Sequence, residues 1–361
     1  MKKKTIIIAI FIREKSALTE FFLKLASELI ALGYEVIILT NEQRNDLVNT
    51  TGNPIVLTWP SYYPTKVKDF LYIRKLIKIY QPIMLISSFS STNFFLLAGK
   101  LYGVTHRIPW IHTVSSAMTE VAPWKFWRKR YLYRLATYFI ANSDATKEDS
   151  IKKYSIAPNK ISTIPNLIHN NDDYITRKKE YSIVFVGRFY DTKGIDTLIR
   201  AMSIVVRSLP DLTLKIIAGG DDTKYVKMVN DYNLDKNIIF TGRIPREEVF
   251  RHLASAQCSI VPSKAEAFGY VVIEAFSVQT PVIGSDTGGI AEIIDNNVNG
   301  LLFPVDDDQK LAEKIILMVS DKSLRDQFAL NAYETFKSRY DLDRNIGKAT
   351  QIFQQLLISK Q

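Results

Sequence analysis

The chain has 361 residues, more than the roughly 250–300 at which a single hydrophobic core stops growing, so we expect two domains. Its 47% hydrophobic and 23% charged residues exclude a low-complexity chain, and the single cysteine, Cys258, excludes a disulfide framework and a cysteine-ligated metal site. The net charge of +10 belongs to the first half, because residues 1–168 hold 23 Lys and Arg against 11 Asp and Glu, whereas residues 169–361 hold 24 against 26.

The N-terminal lysines and the apolar run at residues 6–12 superficially resemble a signal peptide. Three charged residues follow at 13–15 without a small-residue cleavage site, so we predict a buried first strand instead. Residues 80–99 carry no charge, but Pro82 and several Ser residues interrupt the stretch. This composition predicts a strand, a turn and a helix rather than a membrane span.

Short β-branched runs alternate with helix-length amphipathic segments, which is typical of parallel sheets covered on both faces. In the first half we predict a helix at residues 19–32, ending at Gly33 in a left-handed cap, and strands at residues 5–12, 35–40, 83–87, 107–111 and 138–142. In the second half the predicted strands are residues 183–186, 213–218, 237–240, 259–261 and 281–284, and the predicted helices are residues 197–208, 267–278 and 309–320.

These elements predict an α/β protein with two Rossmann-like parallel-sheet domains that face each other across a cleft. We expect a basic N-terminal domain at 1–168, a linker at 169–180, a second domain at 181–345 and a C-terminal helix at 346–361 that packs back on the first domain. Ligands of such sheets bind outside the carboxyl ends of the strands. No dinucleotide-binding glycine pattern and no P-loop is present, so a dinucleotide cofactor and a P-loop nucleotidase are not supported.

Two cations stand in the loop after the strand at 183–186, where the sequence begins Gly187-Arg188 and ends Lys193-Gly194. A guanidinium and an ammonium group in one loop suit a diphosphate, which needs fixed positive charge from more than one direction. The alternative is a surface loop with two solvated cations.

The stretch from Glu266 to Glu274 joins a strand end to a predicted helix. Gly269 would let the backbone approach a ligand, and the free N–H groups of the first helical turn can bind phosphate oxygens. The two carboxylates suit sugar and ribose hydroxyls, although glutamates near a helix start also complement the helix dipole. Glycines occupy two further strand-end loops, at Gly288-Gly289 and at Gly219-Gly220.

Together these loops make the chain resemble the retaining glycosyltransferases of family 4, which have the GT-B fold. The pieces that carry the resemblance, in matching order and spacing, are Gly187-Arg188 with Lys193-Gly194, Glu266 with Glu274, Pro281-Val282-Ile283, and Gly288-Gly289 with Glu292. Looser matches at Ala141-Asn142-Ser143 and Ile164-Pro165-Asn166 extend it over most of the chain after about residue 105.

The resemblance implies that Arg188 and Lys193 bind the donor diphosphate, Glu266 the transferred sugar and Glu274 the ribose. The other substrate-binding residues that it implies are Phe268, Gly269, Tyr270, Gly288, Gly289 and Gly219. It also implies transfer with retention, without metal or cofactor, from a UDP- or GDP-sugar to a glycan or lipid-linked glycan in bacterial surface polysaccharide biosynthesis.

Two segments and one histidine complete the comparison with the family. Residues 12–19 lack the glycine pair that many members carry after the first strand, and residues 167–169 replace the usual Gly and Asp after Asn166. His112 follows a predicted strand and matches a histidine that lies near the reacting sugar in the family, so we treat it as a catalytic candidate. A lone histidine is otherwise a structural residue.

The basic character concentrates at residues 64–81 and 121–143, where cations are interleaved with aromatic residues. This mixture suits an anionic membrane surface, whereas aromatics packed inward on a solvated helix are the alternative. We therefore expect a cytoplasmic protein, with a peripheral position on the inner face of the cell membrane as an option. A nucleic-acid-binding protein would leave the second domain's loops unexplained, and a non-catalytic sugar-nucleotide-binding protein is the other alternative.

Overall fold

The strands form two separate parallel sheets in the computed structural model, which describes residues 4–11, 16–41, 53–114, 123–176 and 179–358. The first sheet contains β1 (Thr5–Ala9), β2 (Glu35–Thr40), β3 (Ile55–Thr58), β4 (Met84–Ser88), β5 (His106–Ile111), β6 (Phe139–Ala141) and β7 (Ile161–Thr163). Its order is β3-β2-β1-β4-β5-β6-β7. The second contains β8 (Ser182–Arg188), β9 (Thr213–Gly219), β10 (Ile238–Phe240), β11 (Ser259–Val261), β12 (Val282–Ser285) and β13 (Gly300–Phe303), in the order β10-β9-β8-β11-β12-β13.

Both orders reverse at one point, between β1 and β4 and between β8 and β11, which is the doubly wound arrangement with helices on both faces. The helices are α1 (Ala17–Ala31), α2 (Val67–Tyr80), α3 (Thr92–Leu101), α4 (Pro123–Tyr133), α5 (Asp144–Tyr154), α6 (Ile195–Val205), α7 (Thr223–Asp231), α8 (Arg246–Ser255), α9 (Tyr270–Ser277), α10 (Gly288–Ile293), α11 (Asp308–Ser320), α12 (Lys322–Arg339) and α13 (Leu342–Ile358).

The chain divides into two compact units, one formed by Met1–Ile168 with Leu342–Gln361 and the other by His169–Asp341. The last helix, α13, therefore belongs to the first unit, where it packs on α1. Its buried Phe353 lies against Trp110 of β5, with ring centroids 6.0 Å apart. Each unit has its own hydrophobic core.

Strand β1 is buried on both faces because its side chains alternate between two clusters. Ile6 and Ile8 pack with apolar residues of α1 and α13, whereas Ile7 and Ala9 pack with residues of α2 and α3. Since β1 pairs with β2 on one side and β4 on the other, it is an interior strand. The prediction of a buried first strand is confirmed, although the strand ends at Ala9.

Three strands were not predicted from the sequence, namely β3, β7 and β13, and all three are edge strands of three or four residues. β3 and β7 are mostly half-buried and β13 is mostly buried, but all three are too short to give a clear strand pattern in the sequence. The helix predicted at 267–278 begins at Tyr270, because Gly269 has φ +108° and caps it.

The predicted left-handed cap after α1 is confirmed, since Gly33 follows the helix with φ +90°. Cys258 is fully buried, and Asp307 caps α11 by accepting a hydrogen bond from the Lys310 amide at 2.9 Å. Residues 12–15 belong to the segment that lacks the family's glycine pair, and they lie outside the described residues. No helix within the described part of the chain is both long and apolar enough to cross a membrane.

Candidate functional site

The central group of the site lies at the switch point of the second sheet, where the carboxyl ends of β8 and β11 meet. Arg188 is the last residue of β8, and Lys193 ends the single 3₁₀ turn that follows. Glu266 stands in the loop after β11, and its Oε2 atom lies 2.5 Å from Lys193 Nζ. The structure thus brings together two residues that are 73 positions apart, and their roles stay a prediction.

The charges of this group are unequal. The side chains of Lys193 and Glu266 are 28% and 20% exposed, so both are held at the surface of the fold without being sealed from a ligand. Arg188 is exposed, and no carboxylate of the described residues forms an ion pair with it. Arg188, Lys193 and Glu266 together carry two positive charges and one negative charge, which favours an anion.

The loop that carries Glu266 is fixed by residues that the sequence did not single out. The Ser263 hydroxyl donates to Glu266 Oε2 at 3.4 Å, and the Lys264 amide donates to the Thr192 carbonyl at 2.8 Å. Lys264 Nζ lies 2.9 Å from Asp196 of α6. These contacts fasten the Glu266 loop to the Lys193 loop, so the two functional side chains have defined positions.

A second acidic partner, Asp306, lies 3.2 Å from Lys264 Nζ. Although burial opposes it, the hydrogen bonds to Asp196 and Asp306 raise the pKa of Lys264. The side chain is therefore charged at physiological pH, and it acts as a structural cation between α6 and the Glu266 loop.

Three glycines allow the site loops to pack backbone against backbone. A Cβ at Gly194 would lie 1.9 Å from the Pro262 carbonyl oxygen, and one at Gly288 would lie 2.1 Å from that of Glu266. At Gly289 it would lie 2.3 Å from the Phe268 carbonyl oxygen. These clashes explain the glycines by packing alone, and contact of Gly288 and Gly289 with substrate stays a prediction.

Helix α9 supplies the next group of predicted residues. Gly269 precedes Tyr270, the first residue of the helix, and the Val272 amide of the first turn donates to the Gly269 carbonyl at 3.0 Å. The Phe268 ring is buried and packs on Tyr340 at 6.0 Å, so only its backbone can serve a ligand. Glu274 is partly buried and lies one turn after Tyr270 on the same helix.

Gly219 ends β9 directly beside Arg188, with which it pairs in the sheet register. A Cβ at this position would lie 3.5 Å from Arg243, which follows β10 in the sequence Thr241-Gly242-Arg243. Sequence reasoning missed Arg243, although the signal was there: a third cation in a strand-end loop with a glycine.

In the first unit, His112 follows β5 and lies between two aromatic rings. Its ring stacks on Phe89 at 5.2 Å and on Trp110 at 6.0 Å, and Nε2 lies 3.4 Å from the Ser88 hydroxyl. Burial lowers the pKa of His112 to about 3, so the imidazole is neutral at physiological pH. It can exchange hydrogen bonds without carrying charge.

His112 opens onto a cavity of about 830 Å³ in the first unit, between α3, α4, α5 and the end of β5. On the outer side of α4, Trp124, Trp127 and Tyr131 are 59%, 60% and 66% exposed. The guanidinium of Arg130 lies 5.4 Å from the Trp127 ring, so cations and aromatics alternate on this surface. Among the described residues no cluster of His, Cys, Asp and Glu could hold a metal.

Two family models match consecutive parts of the chain. The model described as Glycosyltransferase Family 4 matches residues 19–171, and the one described as Glycosyl transferases group 1 matches residues 170–335. The chain belongs to the family-4 glycosyltransferases and has their GT-B fold of two parallel-sheet α/β domains. It is therefore a glycosyltransferase.

Similar proteins include a curated relative and solved structures. The GPI3 subunit of phosphatidylinositol N-acetylglucosaminyltransferase from Saccharomyces cerevisiae (strain YJM789) is 27% identical over 303 residues, covering 76% of this chain and 66% of the relative. The chain thus spans just under two thirds of that relative's length. Sucrose-phosphate synthase from Thermosynechococcus elongatus superposes with a TM-score of 0.80 at 18% identity, covering 99% of this chain and 100% of that one. Anabaena HepE, solved with UDP and glucose, superposes with a TM-score of 0.78 at 17% sequence identity. The match covers 98% of this chain and 100% of HepE.

Proposed function

We propose that the protein is a retaining glycosyltransferase that moves a sugar from a UDP- or GDP-sugar to a glycan or lipid-linked glycan. The observation that carries this proposal is the convergence of Arg188, Lys193 and Glu266 at the β8/β11 switch point. Open parallel sheets bind nucleotide ligands at such points. Two cations at that position suit the diphosphate of the donor.

The proposed chemistry follows from where charge develops. As the diphosphate leaves, negative charge builds on its oxygens and positive charge on the anomeric carbon. Arg188 and Lys193 would stabilise the leaving group, and fixed donors of this kind contribute roughly 3–4 kcal/mol each to the transition state. Because these two cations supply the charge, we propose that transfer needs no metal and no other cofactor.

In this proposal the remaining predicted residues form hydrogen bonds with the sugar, the ribose and the phosphates of the donor. Glu266 would accept from hydroxyls of the transferred sugar, and Glu274 from the ribose. The amides at Phe268, Gly269 and Tyr270 begin α9, where the helix dipole favours phosphate oxygens. His112 would act as a neutral hydrogen-bonding group for a substrate, which its lowered pKa supports.

The nature of donor and acceptor is supported by the similar proteins. HepE was solved with UDP and glucose, and the yeast relative's name joins N-acetylglucosamine transfer with a phosphatidylinositol lipid. We propose a nucleotide-sugar donor and a lipid-linked glycan acceptor, in surface polysaccharide biosynthesis.

We further propose that the protein is cytoplasmic and binds the inner face of the membrane. The exposed rings of Trp124, Trp127 and Tyr131 support this, because large aromatics favour the membrane interface. Adjacent cations add roughly 1 kcal/mol each at an anionic surface.

A direct test measures nucleoside diphosphate release from UDP- and GDP-sugars in the presence of a membrane-lipid extract, followed by NMR of the product's anomeric carbon. We expect release from one donor, unchanged by EDTA, and a product with the donor's anomeric configuration. An inverted product would refute retention. Donor binding without any release would instead identify a non-catalytic sugar-nucleotide-binding protein.

A further inference from the structure

The cavity of the first unit has an unusual charge composition. Four cations line it, Lys125, Arg128 and Lys129 from α4 and Lys153 from α5. None of the residues that the structure describes around the cavity is an aspartate or a glutamate. His112, the remaining titratable base in the wall, is neutral because its pKa is lowered to about 3. The described wall of the cavity therefore carries four positive charges and no negative one.

The cations are held in place by aromatic rings instead of carboxylates. Lys129 Nζ lies 5.0 Å from the centre of the Tyr154 ring and 5.3 Å from that of Tyr133, and Lys153 Nζ lies 5.8 Å from that of Phe126. Within the described part of the chain, no ion pair involves any of the four. A cation that rests on a ring keeps its charge available for a further partner.

Two further lining residues carry polar atoms without a partner. Trp110 is buried, and its indole Nε1 has no hydrogen-bond partner among the described residues. The same holds for the Ser90 hydroxyl oxygen, which is also buried. Both residues line the cavity. Both polar atoms are themselves buried, so the anion site rests on the four cations and not on these two groups.

We propose that this cavity binds a phosphate or diphosphate group, and that this group belongs to the acceptor of the transfer reaction. The cations come from two helices and line one cavity, which suits a multiply charged anion with several acceptor oxygens. The aromatic walls accommodate the adjacent sugar or lipid portion. The assignment to the acceptor rests on the proposed function, whereas the anion site itself does not.

The test is calorimetric titration of inorganic pyrophosphate into the full chain carrying Arg188→Gln and Lys193→Gln, which disable the donor site. In this background we compare the pair Lys129→Gln and Lys153→Gln with the pair Arg130→Gln and Lys152→Gln. Each pair removes one cation from α4 and one from α5, but Arg130 and Lys152 do not line the cavity.

We expect the Lys129 and Lys153 pair to weaken pyrophosphate binding by about tenfold or more and the control pair to leave it near the starting value. Lys129→Arg with Lys153→Arg should restore binding, which separates loss of charge from misfolding. Equal affinity in the two Gln pairs, or no pyrophosphate binding before they are introduced, would overturn the proposal.

The source of the phosphate is identified by competition. Phosphatidylcholine vesicles with phosphatidylglycerol should displace pyrophosphate when the group is lipid-borne, whereas pure phosphatidylcholine vesicles should not. Displacement by a soluble sugar phosphate but not by vesicles would support the same site with a soluble acceptor. Binding of nucleoside diphosphates to the chain with an intact donor site tests the proposed function separately, because it does not involve Lys129 or Lys153.

Discussion

Lys193 Nζ lies 2.5 Å from Glu266 Oε2, and this ion pair joins the two residues assigned to opposite ends of the donor's glycosidic phosphate bond. The Glu266 carboxylate contacts the ammonium group that we propose to hold the diphosphate. Because an ammonium group has three donors, the proposed diphosphate would either join Glu266 at Lys193 or replace it. Substitutions of Lys193 and of Glu266 should therefore affect donor binding and turnover differently.

Lys193→Ala should lower turnover by about two orders of magnitude or more while the fold stays intact, because it removes a fixed cation from the leaving group. The measurement is the initial rate of nucleoside diphosphate release, with far-UV circular dichroism as the check on folding. Lys224→Ala is the matched control, since Lys224 pairs with Asp191 of the same loop at 2.6 Å but not with Glu266. A turnover near normal in Lys193→Ala would refute the assignment.

Glu266→Gln should have opposite effects on binding and on transfer. Without the carboxylate, Lys193 is free to meet a diphosphate, and one negative charge next to the phosphates is gone. We expect UDP or GDP to bind several-fold more tightly, by roughly 1 kcal/mol, and transfer to fall. Calorimetry and the release assay measure the two quantities. Weaker nucleoside diphosphate binding in this variant would show that Glu266 supports the diphosphate site and does not compete with it.

Gly288→Ala should destabilise the second unit by about 1–3 kcal/mol and weaken donor binding, because its Cβ would lie 2.1 Å from the Glu266 carbonyl oxygen. Gly347→Ala provides the contrast, since nothing lies within 4 Å of a Cβ in that helical position. That control should stabilise the chain by roughly 0.5–1 kcal/mol. Urea unfolding measures both. Similar effects of the two substitutions would contradict the packing explanation.

The lowered pKa of His112 predicts that the free energy of unfolding depends on pH. Its pKa lies near 3 in the folded chain against the ordinary 6.5, so between those values the unfolded state binds a proton that the folded state does not. Stability conferred by the neutral ring is thus complete above pH 6.5 and is lost as the pH falls towards 3.

In His112→Gln the free energy of unfolding should fall less steeply with acid, by up to about 1.4 kcal/mol per pH unit over that range. Chemical unfolding at a series of pH values gives the slope for both proteins. Parallel curves would show that the ring titrates normally in the folded state.

Trp124→Ser combined with Trp127→Ser should reduce binding to vesicles that contain phosphatidylglycerol, because it removes two exposed interfacial rings from α4. Co-sedimentation measures the bound fraction. The pair Tyr181→Ser and Tyr232→Ser removes two exposed rings from the second unit and should leave binding unchanged. Equal losses in the two pairs, or binding that ignores anionic lipid, would count against the α4 surface.

Much of the second unit could be predicted because its signals are local. A buried parallel strand is a continuous apolar run, and its end marks where Arg188 or Glu266 stands. The order of β8 and β11 in the sheet is not local, and it decides that Lys193 and Glu266 touch. No spacing in the sequence reports that distance.

The first unit was harder to interpret for the same reason. The excess of cations was visible in the composition, but Lys129 and Lys153 lie on different helices, and only the fold places them around one cavity. Similarly, the sequence identifies Gly288 as a glycine in a loop, whereas the need for glycine arises from the Glu266 backbone 22 residues earlier.

The central claim is that the β8/β11 switch point binds a nucleoside diphosphate. Thermal unfolding of the full chain with UDP, GDP, ADP, CDP and TDP tests it most directly, with the Arg188→Gln, Lys193→Gln chain as control. At about 100 times its dissociation constant a ligand stabilises the folded state by about 2.7 kcal/mol. We predict that one nucleoside diphosphate raises the midpoint of the original chain and not of the control. An unchanged midpoint with all five, or an equal rise in both chains, would contradict the claim.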